Sequence, residues 1–167
     1  MSAKILRHCK DDVLLSGSNQ RLVAMEWSKY LTKGPGELLY HMCDKSSWEE
    51  AVEKGQYVPP TYEQDGFIHA TAEPNALIDV ANHFYTSSKG DWICLKIDPN
   101  SLGKSRVIYE APAPVGETEA YEHEGEQPLF PHIYGPIWPH AVIGFTKMQR
   151  DDKGTFLSID GIPQANK

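Results

Sequence analysis

Cysteine is scarce in this chain. Only Cys9, Cys43 and Cys94 occur, odd in number, far apart and without a C-x-x-C pair. That spacing excludes a disulfide framework and a thiolate zinc site, and it points to reduced thiols. Long apolar runs are also missing. No stretch approaches the roughly 20 residues a bilayer-spanning helix requires, so no membrane partner is expected. Positive charge is in short supply: 16 Lys and Arg stand against 23 Asp and Glu, for a net charge of -7. Duplex nucleic acid, which needs clustered cations, is not an expected partner. Met1 to Lys10 has no apolar core of a secretory signal. A cytoplasmic protein is the expectation. Several motifs are absent as well: the Gly-rich phosphate loop, the G-x-S-x-G elbow and H-E-x-x-H.

What remains is an ordinary globular composition, 40% apolar and 23% charged over 167 residues, enough for one packed core. Residues 1–36 read as a polar extension with one helix, in which Val23, Trp27, Tyr30 and Leu31 share a face within 21–31. Residues 37–149 read as the domain and 150–167 as a tail. Within the domain, 38–42 is a short buried strand. Ser46-Ser47-Trp48-Glu49-Glu50 opens a helix by a capping box, and Gly55 closes it. Asp65-Gly66 is a turn and Phe67-Ile68-His69-Ala70 a strand. Thr71 is placed to cap a helix carrying Leu77, Val80, Ala81 and Phe84 on one face. Residues 92–97 are nearly all apolar, as a central strand should be. Strands follow at 106–109, 141–148 and 155–159. Residues 111–128 read as a long, exposed acidic loop. The pattern predicts an α+β fold, with a mixed, mostly antiparallel sheet and two or three helices.

The chemistry-bearing residues are mostly histidines. His41 sits in a strand after apolar neighbours and is equally readable as a satisfied core residue. His69 ends a strand ahead of a helix, a common position for a residue facing a cleft. His83 lies on the helix, readable as a boundary histidine. In Phe130-Pro131-His132-Ile133-Tyr134-Gly135-Pro136 two prolines stiffen the backbone, and His132 and Tyr134 fall on one face of an extended segment. Gly135 there permits close approach of a ligand. Glu110 closes a strand and becomes a general base or orienting group if it faces the histidines. His69, Glu110 and His132 are the catalytic candidates. Tyr40, His41, Thr71, His83, Tyr134 and Gly135 are the substrate-binding ones. A small molecule is the expected partner; the oligomeric state is not legible. Cys43, two residues from His41, is a weak candidate for a nucleophile.

Several of these stretches together resemble domain of unknown function family 952: Leu39-Tyr40-His41; Trp48 with Gly55-Gln56-Tyr57; Asp65-Gly66-Phe67-Ile68-His69; and the 130–136 segment. The resemblance spans 37–148. That family in turn is similar to the ADP-ribosyltransferase fold and to the RNA 2′-phosphotransferases that share it. The likeness implies an ADP-ribosyltransferase-like cleft for a nucleotide-like ligand, with NAD as the candidate cofactor and transferase chemistry. It puts Tyr40-His41 on the first strand, His41 against a ribose, and His69 at the next strand end. Glu110 or the 132–134 segment would stand for the later catalytic residues. Arg106 is the only Arg between Arg21 and Arg150, so the Arg-rich set of the phosphotransferases has no counterpart. Two other readings stay open. One is a lyase, isomerase or hydrolase using the histidines directly, or with a metal held by three of His41, His69, His83, Glu110 and His132. The other is a non-catalytic interaction domain.

Overall fold

The computed structural model describes residues 38–122 and 128–162 in full, and the backbone of 12–14 and 21–23. The best strand in the sequence is the centre of the fold. β5 (Trp92–Ile97) is buried along its whole length. It pairs antiparallel with β3 (Leu39–Asp44) on one side and β8 (Val142–Arg150) on the other, and β9 (Phe156–Ile159) completes the sheet. Both faces of β5 need cover, and alternation supplies two sets of apolar side chains. Ile93, Leu95 and Ile97 join Leu39 and Cys43 of β3 on one face, packed by Trp48 and Ala51 of α1 (Lys45–Lys54). Cys94 joins Tyr40 and Met42 on the other, packed by Leu77, Val80 and Ala81 of α3 (Leu77–Phe84). Each fully buried Leu or Ile here contributes about 1.5–3 kcal/mol relative to exposure.

A smaller antiparallel sheet holds β4 (Ile68–His69), β7 (Phe130–Tyr134) and β6 (Arg106–Glu110), in the order β4-β7-β6. A bridge of two backbone hydrogen bonds between Tyr40 and Thr71, each 2.8 Å, fastens the residues after β4 to the edge of β3. Among the described residues all strand pairings are antiparallel, and the fold is α+β as expected.

Three expectations need correction. Arg21–Val23 is a strand, β2, pairing with β1 (Asp12–Leu14), not the start of a helix. Its Leu22 and Val23 stand opposite Val13 and Asp12 in register. The rest of the expected helix lies outside the described residues. Thr71 caps nothing: the backbone bridge uses it, and α3 begins six residues later behind a 3₁₀ turn started by Pro74. The helix at 45 is capped by Asp44, whose carboxylate accepts from the Ser47 amide at 3.1 Å, two residues ahead of the expected Ser. Gly55 does end it, in the left-handed conformation at φ 82°.

The acidic loop is not simply exposed. Its described part, 111–122, lies as a strap against the molecule. The Gly116 amide donates to both oxygens of Asp65, at 3.1 and 3.4 Å. Gln64 reaches Glu117, His83 donates to the Glu119 carbonyl, and Tyr121 packs edge-on against His83 and Phe130.

Candidate active site

The short strands β4 and β7 bring His69 and His132 directly opposite one another. Their rings meet edge to face with centroids 5.4 Å apart. A carboxylate backs each ring. The Nε2–H of His69 donates to Asp65 at 3.2 Å, and the Nδ1–H of His132 donates to Glu110 at 3.0 Å. Because a carboxylate only accepts, each bond selects a tautomer. The lone pairs left over are on Nδ1 of His69 and Nε2 of His132. The latter nitrogen is buried and has no hydrogen-bond partner. Phe67 stacks on the His132 ring, centroids 4.0 Å apart, and fixes its plane.

The local sequence explains this placement. Asp65 ends a single helical turn, α2 (Tyr62–Asp65), and Gly66 at φ 81° turns the chain sharply into β4. The turn folds the Asp65 side chain back over His69 four residues on. On β7 the period of two puts Phe130, His132 and Tyr134 on one face. Glu110 ends the neighbouring strand β6 on that face. Its Oε2 accepts from His132 and, at 2.7 Å, from the Tyr134 hydroxyl. Those two bonds, Tyr134's first, hold the Glu110 carboxyl below the usual carboxylate range. Burial is the main cause that lowers both imidazoles. The His132 charge lowers His69 further while Asp65 opposes, and Glu110 opposes the shift of His132. Both shifts favour the neutral ring, in which each imidazole keeps one nitrogen without a proton.

These histidines stand in the wall of a narrow cleft with a free volume of about 30 Å³. It opens where the smaller sheet joins the edge of β3, on the α3 side. Tyr40 and Thr71 supply hydroxyl-bearing side chains to the wall, and Phe84, Tyr85, Tyr121 and Phe130 supply rings. Pro112, Ala113 and Val115 of the strap form its outer side. A second hollow, lined by His41, Tyr57 and Pro59 among others, lies behind the first; His69, Tyr85 and Val115 border both.

The remaining candidates are placed differently. His41 is 5% exposed, and both its nitrogens are engaged inside the protein. Nδ1 donates to the His69 carbonyl at 2.7 Å, and Nε2 accepts from the Tyr57 hydroxyl at 3.1 Å. Burial holds its pKa down at about 4. It buttresses His69 from behind. His83 is spent on the strap, away from the cleft wall. Tyr134 touches the cluster through Glu110 and Phe67. Gly135 serves packing rather than a ligand: at φ 120°, a Cβ there would sit 2.5 Å from the Ser105 hydroxyl. Cys43 is buried, and burial pushes its thiol far above the ordinary range, which removes it as a nucleophile. Among the described residues no three His, Cys, Asp or Glu side chains converge as a cation site. Asp65, Phe67 and Tyr57 fall in stretches that carry the family resemblance, but the sequence assigns them no role at the site. The Asp65–His69 spacing of four is the available signal, but the intervening glycine marks it as a turn only.

The comparisons with known proteins agree on the fold and leave chemistry open. The model of the family described as protein of unknown function DUF952 matches residues 42–145, and the chain belongs to that family. The crystal structure of protein CC0527 from Caulobacter crescentus is similar at 21% identity with a TM-score of 0.56. The match covers 72% of this chain and 93% of that one. The solution NMR structure of CC0527 matches at 21% identity with a TM-score of 0.51, over 71% and 90% of the two chains. Among curated proteins no match is found. Likeness at this identity speaks for the fold alone. No helix among the described residues is long and apolar enough to cross a membrane.

Proposed function

We propose that this protein is a small enzyme that takes a nucleotide-like molecule into the cleft and exchanges protons with it through His69 and His132. Asp65 and Glu110 orient the two rings, and Tyr40 and Thr71 position the ligand. The observation that carries this reading is the Nε2 atom of His132. It is a buried nitrogen without a partner, on a ring that borders the cleft and is held in one tautomer by a carboxylate. An unpaired buried polar atom costs about 1–3 kcal/mol, and a general base for a bound ligand is a use that justifies the cost.

An ADP-ribosyltransferase-like relation is part of the proposal. Its support is the order of parts: Tyr40-His41 on β3, a helix, then His69 at the end of a short strand beside it. NAD is accordingly the first nucleotide to try. In this arrangement Tyr40, rather than His41, would meet the ligand, since His41 is engaged on both nitrogens. One observation favours the second reading, lyase, isomerase or hydrolase chemistry on a smaller organic molecule. Among the described residues, no lysine or arginine lines the cleft to meet a pyrophosphate.

His132→Phe tests the central claim. Phe keeps the stacking on Phe67 and removes the unpaired nitrogen, while Glu110 retains Tyr134 and solvent. The variant should gain about 1–3 kcal/mol of stability and lose any thermal shift that NAD, ADP-ribose, AMP or a small organic acid gives the wild type. A variant that is destabilised, or that responds to ligand as the wild type does, rules the reading out.

A further inference from the structure

We infer that the part of the substrate held against His69 and His132 is an uncharged, planar group bearing N–H or O–H donors, not a phosphate or a carboxylate. This rests on the acid–base reading above and names the substrate class for that site.

Hydrogen bonding gives the first argument. The two imidazoles have committed their N–H groups to Asp65 and Glu110, at 3.2 and 3.0 Å. What they turn to a ligand are acceptors, and the buried Nε2 of His132 lacks a donor. A phosphate or carboxylate oxygen brings only a further acceptor and leaves that nitrogen unsatisfied. An amide, lactam or amino-substituted ring brings the missing N–H.

Charge gives the second. Neither the cleft nor the hollow behind it has a lysine or arginine among its described lining residues. The nearest full charges to the two rings are the carboxylates of Asp65 and Glu110, both negative. An anion here would face two like charges, the buried side chain of Asp65 and the partly exposed one of Glu110, while the guanidinium of Arg106 acts on Tyr134 but lines neither space. A cation fares poorly for a different reason. Burial already lowers the pKa of both imidazoles although each touches a carboxylate, so the site resists positive charge as well. The uncharged form is the one left.

Shape gives the third. Phe84, Tyr85, Tyr121 and Phe130 line a narrow space of about 30 Å³, which admits the donor-bearing edge of a flat group and leaves the rest of the substrate at the mouth. Charged parts of a larger substrate would remain at the mouth, in water.

Two matched pairs of probes test the inference on the full chain: uracil against orotate, and nicotinamide against nicotinate. In each pair the ring is shared and a carboxylate makes the difference. The readout is the ¹⁵N signals of the His69 and His132 rings during titration at pH 7.5. We expect uracil and nicotinamide to move these signals and the acids to bind at least about tenfold more weakly. Glu110→Gln removes one of the two repelling charges and should narrow that ratio, which a role confined to packing would not do. Acids that bind as tightly as their neutral partners would overturn the inference while leaving the acid–base reading in place. If neither class reaches the two rings, both fall together.

Discussion

Lowering the pH from 7 to 5 protonates His41 in nearly every unfolded chain but in few folded ones. Its folded pKa is about 4, and burial is the chief cause. The ordinary value is about 6.5. The sign follows from proton counts. The unfolded state binds more protons between the two values, so this group's contribution to stability is full above about pH 6.5 and declines as the pH falls toward 4. Integrating over the interval from pH 7 to 5 gives a loss of about 2 kcal/mol. Continuing below the folded value brings the total to about 3 kcal/mol, since each tenfold difference in proton affinity between the two states corresponds to about 1.4 kcal/mol. For a domain of this size about 2 kcal/mol should lower the melting temperature by roughly 4–8 °C. His69 and His132 shift in the same direction and add to the wild-type slope, so the comparison must isolate His41. His41→Gln does so. Its amide can donate to the His69 carbonyl and its oxygen can accept from Tyr57, replacing both bonds without a titrating group. Urea denaturation of both proteins at half-unit steps from pH 7.5 to 5 measures the difference. The wild type should lose about 2 kcal/mol more than the variant across that range. Parallel curves would refute the burial argument.

Other perturbations probe separate contacts. Asp65→Asn weakens the acceptor shared by His69 and the Gly116 amide. It should cost about 1.5–3 kcal/mol in urea denaturation, speed hydrogen exchange at Gly116 and lower the His69 pKa further in an NMR titration, because Asp65 is what holds that pKa up. Gly135→Ala forces a Cβ against Ser105 and a side chain into φ 120°. A loss of about 1–3 kcal/mol is expected, of which Ser105→Gly in the same chain should restore the steric share and leave the backbone share. Cys43 and Cys94 should resist a thiol reagent such as iodoacetamide in the native protein and react once it is unfolded, as peptide mass spectrometry would read, because both are buried and burial raises both thiols.

How far the sequence reveals this arrangement depends on the range of the signal. Trp92–Ile97 is legible because an apolar run of that length, interrupted by Lys96 alone, has to be covered on both faces. Gly55 and Asp65-Gly66 are legible because left-handed turns demand glycine. The pairing of His69 with His132 is not, since 63 residues separate them and only antiparallel register brings them opposite. Glu110 illustrates the intermediate case. Its value can be stated conditionally, as a carboxylate that matters if it faces a histidine, and the β6–β7 ladder meets the condition. The strap escapes the sequence for a physical reason. Composition marks 111–128 as solvated, yet Pro112, Ala113, Val115 and Tyr121 are the residues that turn inward, and four side chains spread among charges make no periodic pattern.

His41 carries the same point into function. A histidine among apolar neighbours in a strand is compatible with a ligand contact and with a core hydrogen bond, and the sequence cannot separate them. The separating fact is the second partner. One bond, to the His69 carbonyl, would leave Nε2 available to a substrate; the Tyr57 hydroxyl takes that nitrogen too. By the same test His132 goes the other way, with one nitrogen held by Glu110 and one buried and unpartnered, on a ring that borders the cleft. Counting the partners of each imidazole nitrogen, rather than the presence of histidine, divides the cluster into a residue that supports the site and residues able to work in it.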